Sequence, residues 1–146
     1  MSIVVGYADT PHGRAALEEA TSLARLLGSR LHIIRYVGHD AGESPTRVMA
    51  ERATIQQIDD ELESVANRLT EEGIDVATEV RHGLQNGVSQ ALVETAEREQ
   101  AERLVIGMRR RSPVGKLVMG SVVQDVLLAA DCPVLAVKAR PEDERG

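Results

Sequence analysis

"RLVIGMRRRSPVGKLVMGSVVQDVLLA", residues 103–129, decides how this chain folds. After Arg103, the apolar run Leu104-Val105-Ile106, closed by Gly107, reads as a buried strand. At the far end Val122, Val123, Val126 and Leu127, with Ala130 just beyond, are spaced for the apolar stripe of a helix. Between them lies a loop holding Gly107, Gly115 and Gly120, the basic run Arg109-Arg110-Arg111, and Lys116. A strand that feeds a helix through such a loop is half of a βαβ unit. The question is whether the rest of the chain repeats it.

It does. "SIVVGY" (residues 2–7) is a β-branched strand. Thr10 is a helix N-cap with Pro11 at the first helical position, and Ala16, Leu17, Ala20, Leu23, Ala24 and Leu27 follow at helical spacing until Gly28. "RLHIIRYV" (30–37) is the second strand, and the polar, turn-rich residues 38–47 are a loop. Ser44-Pro45 repeats the cap and proline, and a long amphipathic helix runs from there to Gly73. "IDVATEV" (74–80) is a third strand, more polar and so nearer a sheet edge. Val88, Ala91, Leu92, Thr95 and Ala96 mark a third helix. "CPVLAVK" (132–138) is the fifth strand.

Strands alternating with helices predict an α/β fold with a parallel sheet covered on both faces. The 146 residues form one domain, residues 1–138, followed by a charged tail, 139–146, expected to fray. In such a sheet ligands bind beyond the carboxyl ends of the strands, where strand order reverses. The loop after strand 4 ends there on a helix N-terminus, whose free amides and partial positive charge suit a phosphate.

Composition narrows the function classes. The formal net charge is −6, which argues against a non-specific nucleic-acid binder. There are two tyrosines and no Phe or Trp, so a stacking platform for single strands is absent. A single cysteine, Cys132 in an apolar setting, forms no intrachain disulfide and fits a reducing compartment as a small buried thiol. The N-terminus lacks the pattern of a signal peptide, and no window approaches the roughly 18 apolar residues of a membrane span. The expectation is a soluble, cytoplasmic protein.

Two named phosphate motifs fail. Gly115-Lys116 is followed by Leu117, not by the Ser or Thr of a Walker loop, and "GYADTPHG" after strand 1 lacks dinucleotide-binding spacing. A basic surface loop with a helix-capping Ser121 therefore stays open beside the phosphate cradle.

The same residues carry a resemblance. Gly107 and Gly120-Ser121 match the outer positions of a Gly-x2-Gly-x9-Gly-Ser/Thr hallmark between strand 4 and helix 4. "IVVGYADTPHGRAALEEA" resembles the opening strand, loop and helix of the universal stress protein family, and "DCPVLAVK" its final strand. The resemblance covers about residues 2–138. It implies a three-layer αβα sandwich of the adenine nucleotide alpha hydrolase-like type, with four helices and strand order 3-2-1-4-5. It also implies a homodimer paired through strand 5, here Pro133, Val134, Leu135, Ala136 and Val137. Many members bind ATP between strands 1 and 4.

By this resemblance Ala8, Asp9, Tyr36 and Ile106 face the adenosine, with Tyr36 meeting adenine through its main chain. Phosphates would rest on Gly107, Gly120, Ser121, Val122 and Val123, helped by Arg109, Arg110 or Lys116. Two positions depart from the ATP-binding pattern. Arg110 replaces the second hallmark glycine, where it clashes with phosphate or supplies charged hydrogen bonds. Ala8 stands where relatives often carry an aspartate, with Asp9 one step along.

The remaining chemistry is sparse. No GxSxG elbow occurs, and His12, His32, His39 and His82 show no i, i+3 or i+4 pairing that would suggest a zinc site. His12 alone stands near the first loop, within reach of a phosphate. The acidic runs "ERATIQQIDDELE" and "ETAEREQAE" are solvated helix faces. The expected function is a stress-response module binding an adenine nucleotide, ATP favoured and accompanied by Mg²⁺, with no catalytic residues beyond slow hydrolysis and no protein-held metal. The alternative is a homodimeric interaction protein whose phosphate site is filled by Arg110. A phosphotransferase would need Asp9 as its Mg²⁺ ligand.

Overall fold

The computed structural model describes residues 1–39, 45–109 and 120–140. The strands are β1 (Ser2–Gly6), β2 (Arg30–His39), β3 (Val76–Leu84), β4 (Ala101–Met108) and β5 (Val134–Lys138). The helices are α1 (Pro11–Leu27), α2 (Pro45–Glu71), α3 (Val88–Arg98) and α4 (Ser121–Ala129), and a 3-10 turn, Gln85–Gly87, precedes α3. The strands form one parallel sheet in the order β3-β2-β1-β4-β5. This is the expected α/β architecture and strand order, with β3 at an edge.

Strand side chains alternate between faces, and the two cores follow that alternation. Ile3, Val5, Leu31, Ile33 and Val105 pack beneath α1 and α2. Val4, Ile34, Leu104 and Ile106 pack beneath α3 and α4. Helix α1 starts as its sequence dictates: the Gly13 amide donates to the Thr10 hydroxyl at 3.0 Å, with Pro11 in the first turn. It ends at Gly28, whose φ of +66° a side chain would strain. Its inner face is Gly13, Ala16, Leu17, Ala20 and Ala24, mostly small residues, so the helix lies close on the sheet.

Several boundaries differ from the sequence reading. β2 continues through His39, so residues 38 and 39 belong to the sheet rather than to a loop. Main-chain pairing of Gly38 with Gly83 and His39 with Leu84 overrides the polar composition there. Helix α2 starts at Pro45, while the proposed cap Ser44 lies outside the described residues. β3 runs over Val76–Leu84 rather than 74–80. Ala139, at the head of the segment expected to fray, is fully buried. Burial pushes the thiol of half-buried Cys132 up from its ordinary value. No helix among the described residues is long and apolar enough to cross a membrane.

Candidate functional site

β1 lies between β2 and β4, so the chain leaves β1 and β4 at adjacent positions on the carboxyl edge of the sheet. Two glycines close the gap. A Cβ on Gly13 would stand 2.1 Å from the Ala8 carbonyl oxygen, so the loop after β1 folds back onto the first turn of α1. A Cβ on Gly107 would stand 2.5 Å from the His12 carbonyl oxygen, so that turn rests on the end of β4. Neither approach is open to a residue with a side chain.

A cavity of about 150 Å³ opens at this junction. Ile34, Val88, Leu92 and Ile106 form its apolar side, and Ala8, His12, Gly107 and Val122 the other. Tyr36 also lines it, but its hydroxyl donates to the Leu84 carbonyl at 2.6 Å. Gly83 and Gly87 make room for that bond: a Cβ on either would come within 2.7 Å and 2.5 Å of the hydroxyl oxygen. The tyrosine ring thus stitches the turn before α3, and its main chain is what remains for a ligand. Tyr7 also lines the cavity, is largely buried and donates to Glu61 Oε1 at 2.7 Å. Burial, then the Glu61 hydrogen bond, push its pKa far up, so it stays neutral.

At the opposite wall Gly120 is the N-cap of α4 and Ser121 its first residue. The expected side-chain cap from Ser121 is not formed, because the serine sits one position inside the helix. The helical ladder begins with the Gln124 amide donating to the Gly120 carbonyl at 3.1 Å. The amides of Ser121, Val122 and Val123 therefore precede the first intrahelical bond. The Val123 side chain is buried in the core, so only its amide can serve a ligand, whereas Val122 lies at the cavity wall. Gly120 has an ordinary φ of −60°, and a Cβ there meets no described atom within 4 Å.

Of the residues singled out in the sequence, the cavity gathers Ala8, His12, Tyr36, Ile106, Gly107 and Val122. Arg109 is exposed just after β4. Arg110 and Lys116 lie outside the described residues. Asp9 is turned to solvent, where its Oδ1 accepts from Arg14 Nη1 at 2.7 Å. Sequence reading missed Gly6, Tyr7, Gly13, Ile34, Arg35, Val88 and Leu92 as site residues. Gly13 carried a signal: a glycine in the first turn of a helix costs stability unless close packing demands it.

The sequence model of the universal stress protein family matches residues 1–138. The chain belongs to the universal stress protein family. A universal stress protein of Mycolicibacterium smegmatis is 38% identical over 136 residues, covering 93% of this chain and 96% of that protein. A universal stress protein from Archaeoglobus fulgidus, solved in complex with dAMP, superimposes with a TM-score of 0.65 at 22% identity, covering 94% of this chain and 98% of that one. Another, solved in complex with cAMP, also gives 0.65 at 22% identity, covering 94% and 96%. At that identity the two solved proteins bear on the fold.

The histidines add a finding of their own. Strand register, invisible to i, i+3 spacing, brings the rings of His39 and His82 to 6.5 Å. His32 is buried between two carboxylates, with Nε2 at 2.8 Å from Glu79 and Nδ1 at 3.5 Å from Glu99, on the α3 side of the sheet.

Proposed function

We propose that this universal stress protein is a binding module for an adenine nucleotide, ATP favoured, acting in the stress response of the cytoplasm. The observation that carries the reading is the convergence of Gly107, the cavity and the first turn of α4 on the carboxyl edge of β1 and β4. An adenine would lie on Val88, Leu92 and Ile34, with the Tyr36 main chain at its edge. Phosphates would reach the Ser121–Val123 amides, where the helix dipole favours negative charge. The dAMP and cAMP complexes of relatives support an adenine nucleotide as the ligand class.

The protein is not proposed as an enzyme. Turnover would be at most slow hydrolysis. Mg²⁺ would arrive with the ATP. Asp9, the one carboxylate considered for it, bonds Arg14 at the surface. A homodimer through β5 is part of the proposal. β5 is an edge strand whose Leu135 is exposed, and Leu127 and Leu128 of α4 are exposed as well.

Calorimetric titration of nucleotide-free protein with Mg·ATP tests the reading. Saturable one-site binding is expected, with about 2.7 kcal/mol of stabilisation at a hundredfold excess over Kd. Absence of both heat and thermal shift overturns it in favour of an interaction protein with Arg110 in the phosphate site.

A further inference from the structure

The two edges of the sheet meet opposite ends of the helices. Helix N-termini stand at the carboxyl edge and suit anions. At the amino edge stand the ends of α3 and α4, whose last carbonyls lack intrahelical donors and carry a partial negative charge. A second cavity, of about 190 Å³, opens between those two ends. It lies at the far end of β4 from the crevice: Ala101 lines this cavity and Gly107 the other.

Its interior is apolar. Val93 and Ala96 come from α3, Ala101 from β4, and Ala130 from the end of α4. Three of the four are alanines, so the gap stays open where longer side chains would fill it. The half-buried Cys132 completes the wall. Burial pushes its thiol up, so it adds no charge there.

The walls are pinned. α3 gives way to β4 through Gln100, at a φ of +50°, and the Gln100 amide donates to the Glu97 carbonyl at 3.1 Å. Ser2 Oγ donates to the Glu99 carbonyl at 2.8 Å, which ties that turn to β1. On the other side the Leu104 amide donates to the Pro133 carbonyl at 2.9 Å and holds the α4–β5 connection against β4.

The mouth is acidic. Glu97, in the last turn of α3, and Asp131, just past the end of α4, both line it and both are exposed. A carboxylate at a helix C-terminus opposes the helix dipole. Each therefore costs stability unless a cation joins it. Among the described residues neither is ion-paired. The neighbouring arginines face elsewhere. Arg98 bonds Glu79 and Glu99, and Arg103 Nη1 donates to the Glu102 carbonyl at 2.7 Å. The Arg103 charge does reach Cys132, where it opposes that of Asp131.

We propose that this cavity binds a small organic cation, an alkylammonium ion whose short chain enters between α3 and α4 while its ammonium group stays at the mouth between Glu97 and Asp131. Burial holds the chain, and the carboxylates and helix ends hold the charge. A neutral analogue keeps only the first attraction, and an anion is repelled. The inference stands apart from the nucleotide reading, because it uses no residue of the crevice.

The probe is n-butylammonium, with n-butanol and butyrate as its neutral and anionic counterparts. Each is titrated into the full-length, ¹⁵N-labelled protein, and amide shifts are followed. n-Butylammonium should give saturable shifts at Ala96, Ala101, Ala130 and Cys132, with a dissociation constant of the order of millimolar for so small a ligand. n-Butanol should bind at least about threefold more weakly, and butyrate should leave these amides unmoved. In the double variant Glu97→Gln, Asp131→Asn, n-butylammonium affinity should fall to that of n-butanol, which should not change. Both substitutions are at exposed positions, so the fold should persist. Ala130→Leu fills the cavity from a half-buried position and should abolish the shifts from both ligands. If that variant does not fold, the double variant and the three-probe comparison decide. Shifts that do not saturate, or that spread over carboxylates elsewhere on the surface, overturn the inference. Equal binding of n-butanol or butyrate overturns it too, and so does full affinity for n-butylammonium in the double variant.

Discussion

The His12 main chain rests directly on the α-carbon of Gly107: a Cβ at position 107 would stand 2.5 Å from the His12 carbonyl oxygen and 2.7 Å from its carbon. This contact joins the start of α1 to the end of β4, and so sets the width of the crevice between the first and fourth βα loops.

Gly107→Ala should therefore separate the two loops. Overpacking of this kind costs about 1–3 kcal/mol. Gly13→Ala should behave alike. Helix propensity favours alanine by about 1 kcal/mol, but a Cβ at 2.1 Å from the Ala8 carbonyl oxygen outweighs it. Chemical denaturation would show both variants less stable than wild type. A stabilised Gly13→Ala would mean that the loop yields and that the close packing does not hold it.

Gly120→Val separates stability from binding. The backbone there is ordinary extended chain, and a Cβ meets no described atom within 4 Å. The variant should keep its melting temperature within a degree or two, since exposed substitutions of this kind change stability by about 0.5 kcal/mol or less. ATP affinity should drop at least about tenfold, because the side chain stands where phosphate approaches the α4 amides. Undiminished affinity would place the phosphates elsewhere.

Acid stability should depend on Glu79. Burial disfavours its charge, but hydrogen bonds from Arg98 and His32 outweigh that effect and hold the carboxyl below its ordinary value. A carboxylate whose pKa is lowered by folding contributes stability above its unfolded value, about 4.5, and loses it as pH falls through the folded value. Stability measured by denaturant from pH 7 downward should thus fall below about pH 4.5. Glu79→Gln should be less stable at pH 7 and show a shallower acid slope. An identical slope would exclude Glu79 as a contributor.

Leu135→Arg tests the proposed pairing through β5. Leu135 is the second residue of the edge strand β5 and is 36% exposed. Light scattering should give a dimer mass for wild type and a monomer for the variant, with unchanged circular dichroism. A variant that stays dimeric would move the interface away from β5.

Some of this could be read directly in the chain. β-branched runs closed by glycine gave the strands, and Thr10-Pro11 the start of α1, because caps and buried strands depend on neighbours in sequence. The hallmark glycines pointed to the β4–α4 connection, and the cavity forms beside it. Strand ends were less legible. Gly38 and His39 look like loop residues, yet β3 offers them ladder partners, and pairing with another strand is not written in local composition.

What the sequence by itself determined is the alternation of strands and helices, the parallel sheet it demands and the loop on which a ligand site would be built. These follow from periodicity and turn chemistry, which act over a few residues. What only the tertiary structure decided is which side chains reach the crevice. Ser121 proves to be inside its helix rather than capping it, Asp9 is held away by Arg14, and Gly13 and Gly107 bring Ala8 and His12 against the cavity. The contact of His12 with Gly107 joins segments about 100 residues apart, and packing at that range is settled only when the whole sheet has formed; the others turn on side-chain placement that residue type alone does not fix.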